Sequence, residues 1–234
     1  MKLLCRWALA GALLASTCLP ATAAEDRTLT RWAADLDATA AFLKAGRYGR
    51  AVPRLKRLAD EMVQLLGPGT GAARVLAATI SQRALAEAGL GNLDDALWYW
   101  HVAIGIDPRF LQADLSEFGE PGRYLQANSL PPRELELIGP PDPFIEPPKI
   151  RKRPRLVYPV GAKYFEVQGQ LVVEVVLGVD GRPRYPRVLQ PLPAPTLTFV
   201  ALDAVRQWRF EPARLRGQAV DVYYTLTVNW KMPR

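Results

Sequence analysis

The sequence contains a single histidine, His101, and only two cysteines, Cys5 and Cys18, among 234 residues. Each scarcity removes a class of chemistry. One histidine without a nucleophile motif cannot build a Ser–His–Asp triad. No two histidines stand at metal-ligand spacing, and both cysteines fall in the N-terminal segment, so neither a metal site nor a disulfide is expected in a mature chain. The glycine-rich stretch Gly67-Pro68-Gly69-Thr70-Gly71 lacks the Lys-Ser/Thr pair of a phosphate-cradling loop and reads as a helix breaker. No apolar run reaches the roughly 20 residues of a membrane-spanning helix. Catalytic residues, metal ligands and small-molecule cofactors are therefore expected to be none, and the inventory points to a binding protein rather than an enzyme.

The N-terminus has the pattern of a secretory signal peptide over residues 1–24. Lys2 and Arg6 make a basic start, Trp7 to Leu19 is an apolar run of roughly 13 residues, and Ala21-Thr22-Ala23-Ala24 offers small residues for cleavage. Cleavage predicts an exported protein. Retention would leave it membrane-anchored, and Cys18 is an alternative site for a lipid.

Charge is distributed unevenly. Residues 149–234 hold 15 Lys/Arg against 6 Asp/Glu, a net +9, whereas residues 25–148 hold 13 against 17, a net −4. A basic half invites a nucleic-acid reading, but export argues against it, and no nucleic-acid partner is expected. An acidic protein surface, an anionic lipid or a polyanionic polymer is a better counterpart, and simple solubility is the other explanation.

Residues 25–129 read as an all-α domain of helical hairpins. Apolar residues recur at helical spacing over 31–45, 51–66, 72–90 and 94–106, with Pro53 placed in the first turn of the second helix. Turn glycines Gly46 and Gly91 are each followed five residues later by alanine, Ala51 and Ala96, and Ala84 precedes Gly91 by seven. With Asp107-Pro108 closing the second unit, these hairpins resemble tetratricopeptide repeats. Residues 109–128 are expected to cap them. His101 reads as a packed residue. Trp98 and Tyr99 either rim a groove or pack on the cap. Residues 130–154 carry clustered prolines and read as a stiff linker. Its basic end, residues 151–155, either orients the next domain on an acidic partner or is a solvated terminus.

Residues 155–234 read as a small α+β domain, a three-stranded antiparallel sheet with one helix. Alternation marks a strand from Gly169 to Val179, with Leu171, Val173, Val175, Leu177 and Val179 on one face. Asp180-Gly181 signals a hairpin, and Pro186 makes the returning strand an edge or a bulge. Residues 196–208 form the helix. In the last strand Val220, Val222, Tyr224, Leu226, Val228 and Trp230 share one face and Asp221, Tyr223, Thr225, Thr227 and Asn229 the other.

The ordered set Tyr158-Pro159, Gly169, Asp180-Gly181, Ala201, Trp208-Arg209-Phe210, Pro212-Ala213, Gly217 and the valine-rich last strand resembles the C-terminal domain of the TonB family. The resemblance implies a periplasmic domain that grips an extended segment of an outer-membrane transporter or another envelope protein. That segment adds as a strand beside the last strand, and an inner-membrane motor complex is a possible further partner. Carried onto this sequence, Val222, Tyr223, Tyr224, Thr225, Leu226, Thr227 and Val228 form the docking edge, with Tyr158 and Pro159 as auxiliary contacts. The familiar transducer keeps an N-terminal membrane helix and a long proline-rich arm. Here the apolar run is short, and a polyproline stretch of about 25 residues reaches only about 80 Å. A periplasmic adaptor is therefore expected, with a membrane-anchored energy transducer as the alternative.

Overall fold

Helix-forming sequence fills the first half of the chain, and strands fill the second. The computed structural model describes residues 23–67, 70–130 and 145–232. The expected signal peptide up to residue 22 and the linker prolines from Pro131 to Pro143 lie outside these residues. Helices α1 (Ala23–Lys44) and α2 (Tyr48–Leu65) form one hairpin, and α3 (Thr70–Gly89) and α4 (Leu93–Ile106) a second. Their turn glycines, Gly46 and Gly91, hold φ at +69° and +80°, where a side chain would be strained. Ala51, Ala84 and Ala96 are fully buried, so the helices approach closest at the small residues, around Trp32, Leu55, Met62, Ile80 and Trp100. Gln82 on α3 donates to the Leu36 carbonyl of α1 at 3.1 Å, tying the two hairpins together.

Two details depart from expectation. α2 starts at Tyr48, so Pro53 lies inside the helix rather than in its first turn, and one backbone hydrogen bond is forgone there. The cap over 109–128 is divided into 3-10 turns at Pro108–Gln112 and Ser116–Phe118 and a short helix α5 (Gly119–Ala127). Asp107 caps the first turn by accepting the Arg109 N–H at 3.2 Å, and Gly119, at φ +64°, reverses the chain after the second.

The second half begins with β1 (Ile145–Glu146) and β2 (Lys149–Lys152). Then follow α6 (Val160–Tyr164), β3 (Gly169–Leu177), β4 (Pro183–Gln190), α7 (Pro195–Arg206), β5 (Arg209–Glu211), β6 (Ala213–Leu215), β7 (Gln218–Val220) and β8 (Val222–Trp230). The main sheet is antiparallel with strand order β4-β3-β8. Leu171, Val173, Val175 and Leu177 of β3 are fully buried and share one core with Leu197, Leu202 and Val205 of α7. Residues 145–152, expected as linker, instead pair with the C-terminal unit: β1 lies against β6 and β2 against β5. β4 carries the irregularity that Pro186 foretells. Its register against β3 slips between Glu174 and Val176, where Tyr185 takes φ +49°.

The two halves pack on each other. α7 contacts α2, α3 and α4 as well as β4, and α4 also contacts β4 directly. Arg206 of α7 donates to Asp95 of α4 at 2.6 Å, and the Tyr99 hydroxyl donates to Asp203 at 3.2 Å. Burial, then the Asp203 carboxylate, pushes the Tyr99 hydroxyl far above its ordinary pKa, so it stays a donor. Tyr99 thus packs against the C-terminal unit, and Trp98 is buried as well; neither rims a groove. Gly161 of α6 lies under the Gln64 carbonyl of α2, where a Cβ would stand only 2.9 Å from the oxygen.

His101 sits in this same interface, edge-on to Tyr185 at 5.5 Å between ring centroids. Its Nε2 lies 3.1 Å from the Asn128 carbonyl, which can only accept, so the neutral ring carries its proton there. Burial lowers its pKa from 6.5 to about 4, against the smaller opposing pull of that carbonyl. A depressed histidine pKa means the folded state binds fewer protons than the unfolded chain. Stability is therefore full above pH 6.5 and lost as pH falls toward 4, by about 3 kcal/mol in all. Urea titrations between these limits should show that loss in the native chain and a flatter profile in His101→Gln.

Candidate docking edge of the C-terminal sheet

β8 is nine residues long and pairs along its whole length with β3, from Gly169↔Trp230 to Leu177↔Val222. The direction of its backbone groups follows from the β3–β4 turn. Gly178 N–H donates to the Arg182 carbonyl at 3.0 Å, on the β4 side. Val179 N–H donates to the Asp221 carboxylate at 2.7 Å, on the β8 side. Backbone groups alternate along a strand, so the odd-numbered residues of β3 address β8. Through the register Val175↔Tyr224, Val173↔Leu226 and Leu171↔Val228, the even-numbered residues of β8 bond inward. The N–H and C=O groups of Tyr223, Thr225, Thr227 and Asn229 consequently point to the outer edge. Among the described residues no strand pairs with that edge.

The side chains divide the same way. Val222, Leu226, Val228 and Trp230 are buried, whereas Thr225, Thr227 and Asn229 are exposed. Tyr223 and Tyr224 are half-buried, and Tyr224 meets Phe210 edge-on at 6.0 Å. Of the residues expected at the docking edge, Tyr223, Thr225 and Thr227 turn their backbone groups to the outer border, and Thr225 and Thr227 also expose their side chains. Val222, Leu226 and Val228 hold the strand in place from the core side.

Tyr158 packs at the C-terminal end of β8. Its ring stands edge-on to Trp230 at 5.1 Å, and its hydroxyl donates to the Val167 carbonyl. Pro159 is buried and heads α6, which fixes the backbone that carries Tyr158. The structure thus brings Tyr158 and the C-terminal end of β8 together, although 72 residues separate Tyr158 from Trp230 in sequence.

The basic end of the expected linker is partly committed within the fold. Arg151 pairs with Glu211 at 3.1 Å, and Arg153 lies 4.6 Å over the Trp208 ring. Arg155 remains exposed. The antiparallel order β4-β3-β8, the Asp180-Gly181 turn and the Tyr158–Trp230 corner together define the unit. Residues 154–232 match the family model of the Gram-negative bacterial TonB protein C-terminal. Every motif residue from Tyr158 to Gly217 falls inside that TonB C-terminal match. No curated protein matches the chain. Among the described residues, no group of His, Cys, Asp and Glu could hold a metal, and no helix is long and apolar enough to cross a membrane.

Two features of the C-terminal unit were not legible in the sequence. β1 and β2 are short and flanked by proline, and nothing in residues 145–152 announces a pairing partner more than 50 residues away. The apolar pair Tyr164-Phe165 follows Tyr158-Pro159 closely, yet it is exposed and faces away from the core.

Proposed function

We propose that this protein is a periplasmic binding adaptor whose TonB C-terminal unit takes an extended segment of an outer-membrane partner as an added strand along β8. The unpaired outer border of β8 carries this reading. It offers alternating N–H and C=O groups over a long, regular strand, and backbone pairing supplies affinity without any special side chain. The match of residues 154–232 supports an outer-membrane transporter as the partner class. Tyr158 stands at the C-terminal end of that border, against Trp230, where it adds an aromatic contact. The helical hairpins, with alanines buried at the close approaches of a tetratricopeptide arrangement, form the platform for a second partner. The N-terminal segment serves as an export signal.

Amide hydrogen exchange tests strand addition directly. Adding a peptide from the extended N-terminal segment of an outer-membrane transporter should slow exchange at Tyr223, Thr225, Thr227 and Asn229. The even-numbered amides of β8, already bonded to β3, should change little. Uniform protection along the strand, or none, would count against the proposal.

A further inference from the structure

α2 carries a line of arginines on one side. Arg47 stands at its N-cap, and Arg50, Arg54 and Arg57 follow at helical spacing. The four fall within about 80° of arc and about 15 Å of helix axis. All are exposed, and among the described residues none of their side chains forms an ion pair. Arg50, Arg54 and Arg57 line an open groove of about 580 Å³ together with Phe42, Gly49 and Pro53. Arg54 lies 4.8 Å over the Phe42 ring. Stacking fixes the plane of a guanidinium and leaves its in-plane N–H fork for a carboxylate.

The carboxylates near this line stand at its ends. Glu61 continues it one turn beyond Arg57, but Arg31 holds that group. Asp35, two turns from Phe42 along α1, acts on the same Arg31. Asp60 is exposed and lies about 60° round the helix from Arg57. At the other end Glu117 pairs with Lys44 at 2.9 Å. Residues 25–148 are net −4, so the arginines are a local exception and not part of a general basic surface. They also begin at the positive end of the α2 dipole, where the first turn holds no acidic residue. Cations there cost the helix stability, and a local cost without a structural return points to a ligand.

We propose that this groove takes an acidic segment of a partner protein, bound extended along α2. About 15 Å of extended chain is about five residues, of which alternate ones face the helix. Three carboxylates at alternate positions then meet the arginines, and their stems pack on Phe42 and Pro53. A polyanion or an anionic bilayer carries its charge past this line and onto the acidic remainder of the half, within a screening length of about 10 Å. A short acidic peptide does not. The site rests on the reading of the helical hairpins as a platform for a second partner, and it is separate from strand addition at β8.

Fluorescence anisotropy on the full chain tests it, with the fluorescein-labelled peptide Gly-Glu-Ala-Glu-Ala-Glu-Gly as probe. Saturable binding is expected, and it should weaken about tenfold when Arg50 and Arg54 are both replaced by Gln. Both positions are exposed, so the fold is kept. Removing the same charge elsewhere, with Lys56→Gln and Lys149→Gln, should change binding less than about twofold. Equal losses in the two double variants, or no saturable binding, overturn the proposal. A double arginine variant that loses heparin or phosphatidylglycerol vesicles but keeps the peptide overturns it in favour of an extended anionic surface. Thr225→Pro should bind the probe as the native chain does. A loss there would mean that the peptide is read along β8, which overturns the groove and leaves strand addition standing. Binding that appears only with Glu134→Ser and Glu136→Ser would mean that the chain's own acidic segment takes the groove, and overturns a partner there.

Discussion

Thr225→Pro is expected to weaken capture of an extended partner segment by about one to two orders of magnitude while leaving the fold intact. Thr225 is exposed, lies mid-way along β8, and sends its N–H to the outer border. Proline removes that donor without touching a bond to β3, and edge strands tolerate proline at positions whose N–H faces outward. The arriving strand loses more than one hydrogen bond. Its own carbonyl opposite Thr225 is left buried without a partner, at about 1–3 kcal/mol, and the pyrrolidine ring occupies the space it needs. Together these should weaken binding by about 10- to 100-fold. Calorimetric titration with the transporter peptide measures the loss, and Thr225→Val serves as control because it keeps the backbone donor. Equal affinity for the proline and valine variants would mean that the peptide binds somewhere other than along this border. Unchanged urea unfolding of Thr225→Pro confirms that the sheet itself has survived.

The largest effect on stability is expected at Gly181. This residue turns the chain between β3 and β4 at φ +70°, donates its N–H to the Gly178 carbonyl at 2.8 Å and accepts the Phe210 N–H at 2.9 Å. A Cβ here would run into the Phe210 carbonyl oxygen. The positive φ alone costs alanine about 1 kcal/mol. Relieving the clash means moving β5 away, which gives up the bond to Gly181 and loosens buried Phe210. Gly181→Ala should therefore destabilise the C-terminal unit by about 3 kcal/mol, read as a lower urea midpoint with near-native slope. A shift below about 1 kcal/mol would show that the turn is not keyed to β5. The Asp180-Gly181 pair thus serves two purposes, closing a hairpin and leaving room for a neighbouring strand.

The sequence read clearly where a single physical rule dominates locally. Alternation placed β3 and β8 and assigned their faces, because the core side of each strand is continuous and apolar. The Gly46 and Gly91 turns were visible because only glycine tolerates their backbone, and Pro186 announced the irregular strand. The places that escaped depend on contacts distant in sequence. Residues 145–152 become strands only because β5 and β6 are already present to pair with them. His101 looked like an ordinary packed residue and Tyr99 like a groove rim or a cap contact, and nothing nearby reveals that Tyr185 and Asp203 of the other half complete their surroundings. Of the docking edge, the strand and its exposed residues were legible from period-two patterning. Which of its backbone groups face outward required the turn geometry at Gly178 and Val179. That Pro159 is buried while Tyr158 meets Trp230 required the fold.

The direct packing of α7 against α2, α3 and α4 bears on how far this molecule can extend. With the two halves already in contact, an extended segment docked along β8, as proposed above, would be held on a body no longer than the folded chain itself, and a pull on it would load the Arg206–Asp95 and Tyr99–Asp203 contacts.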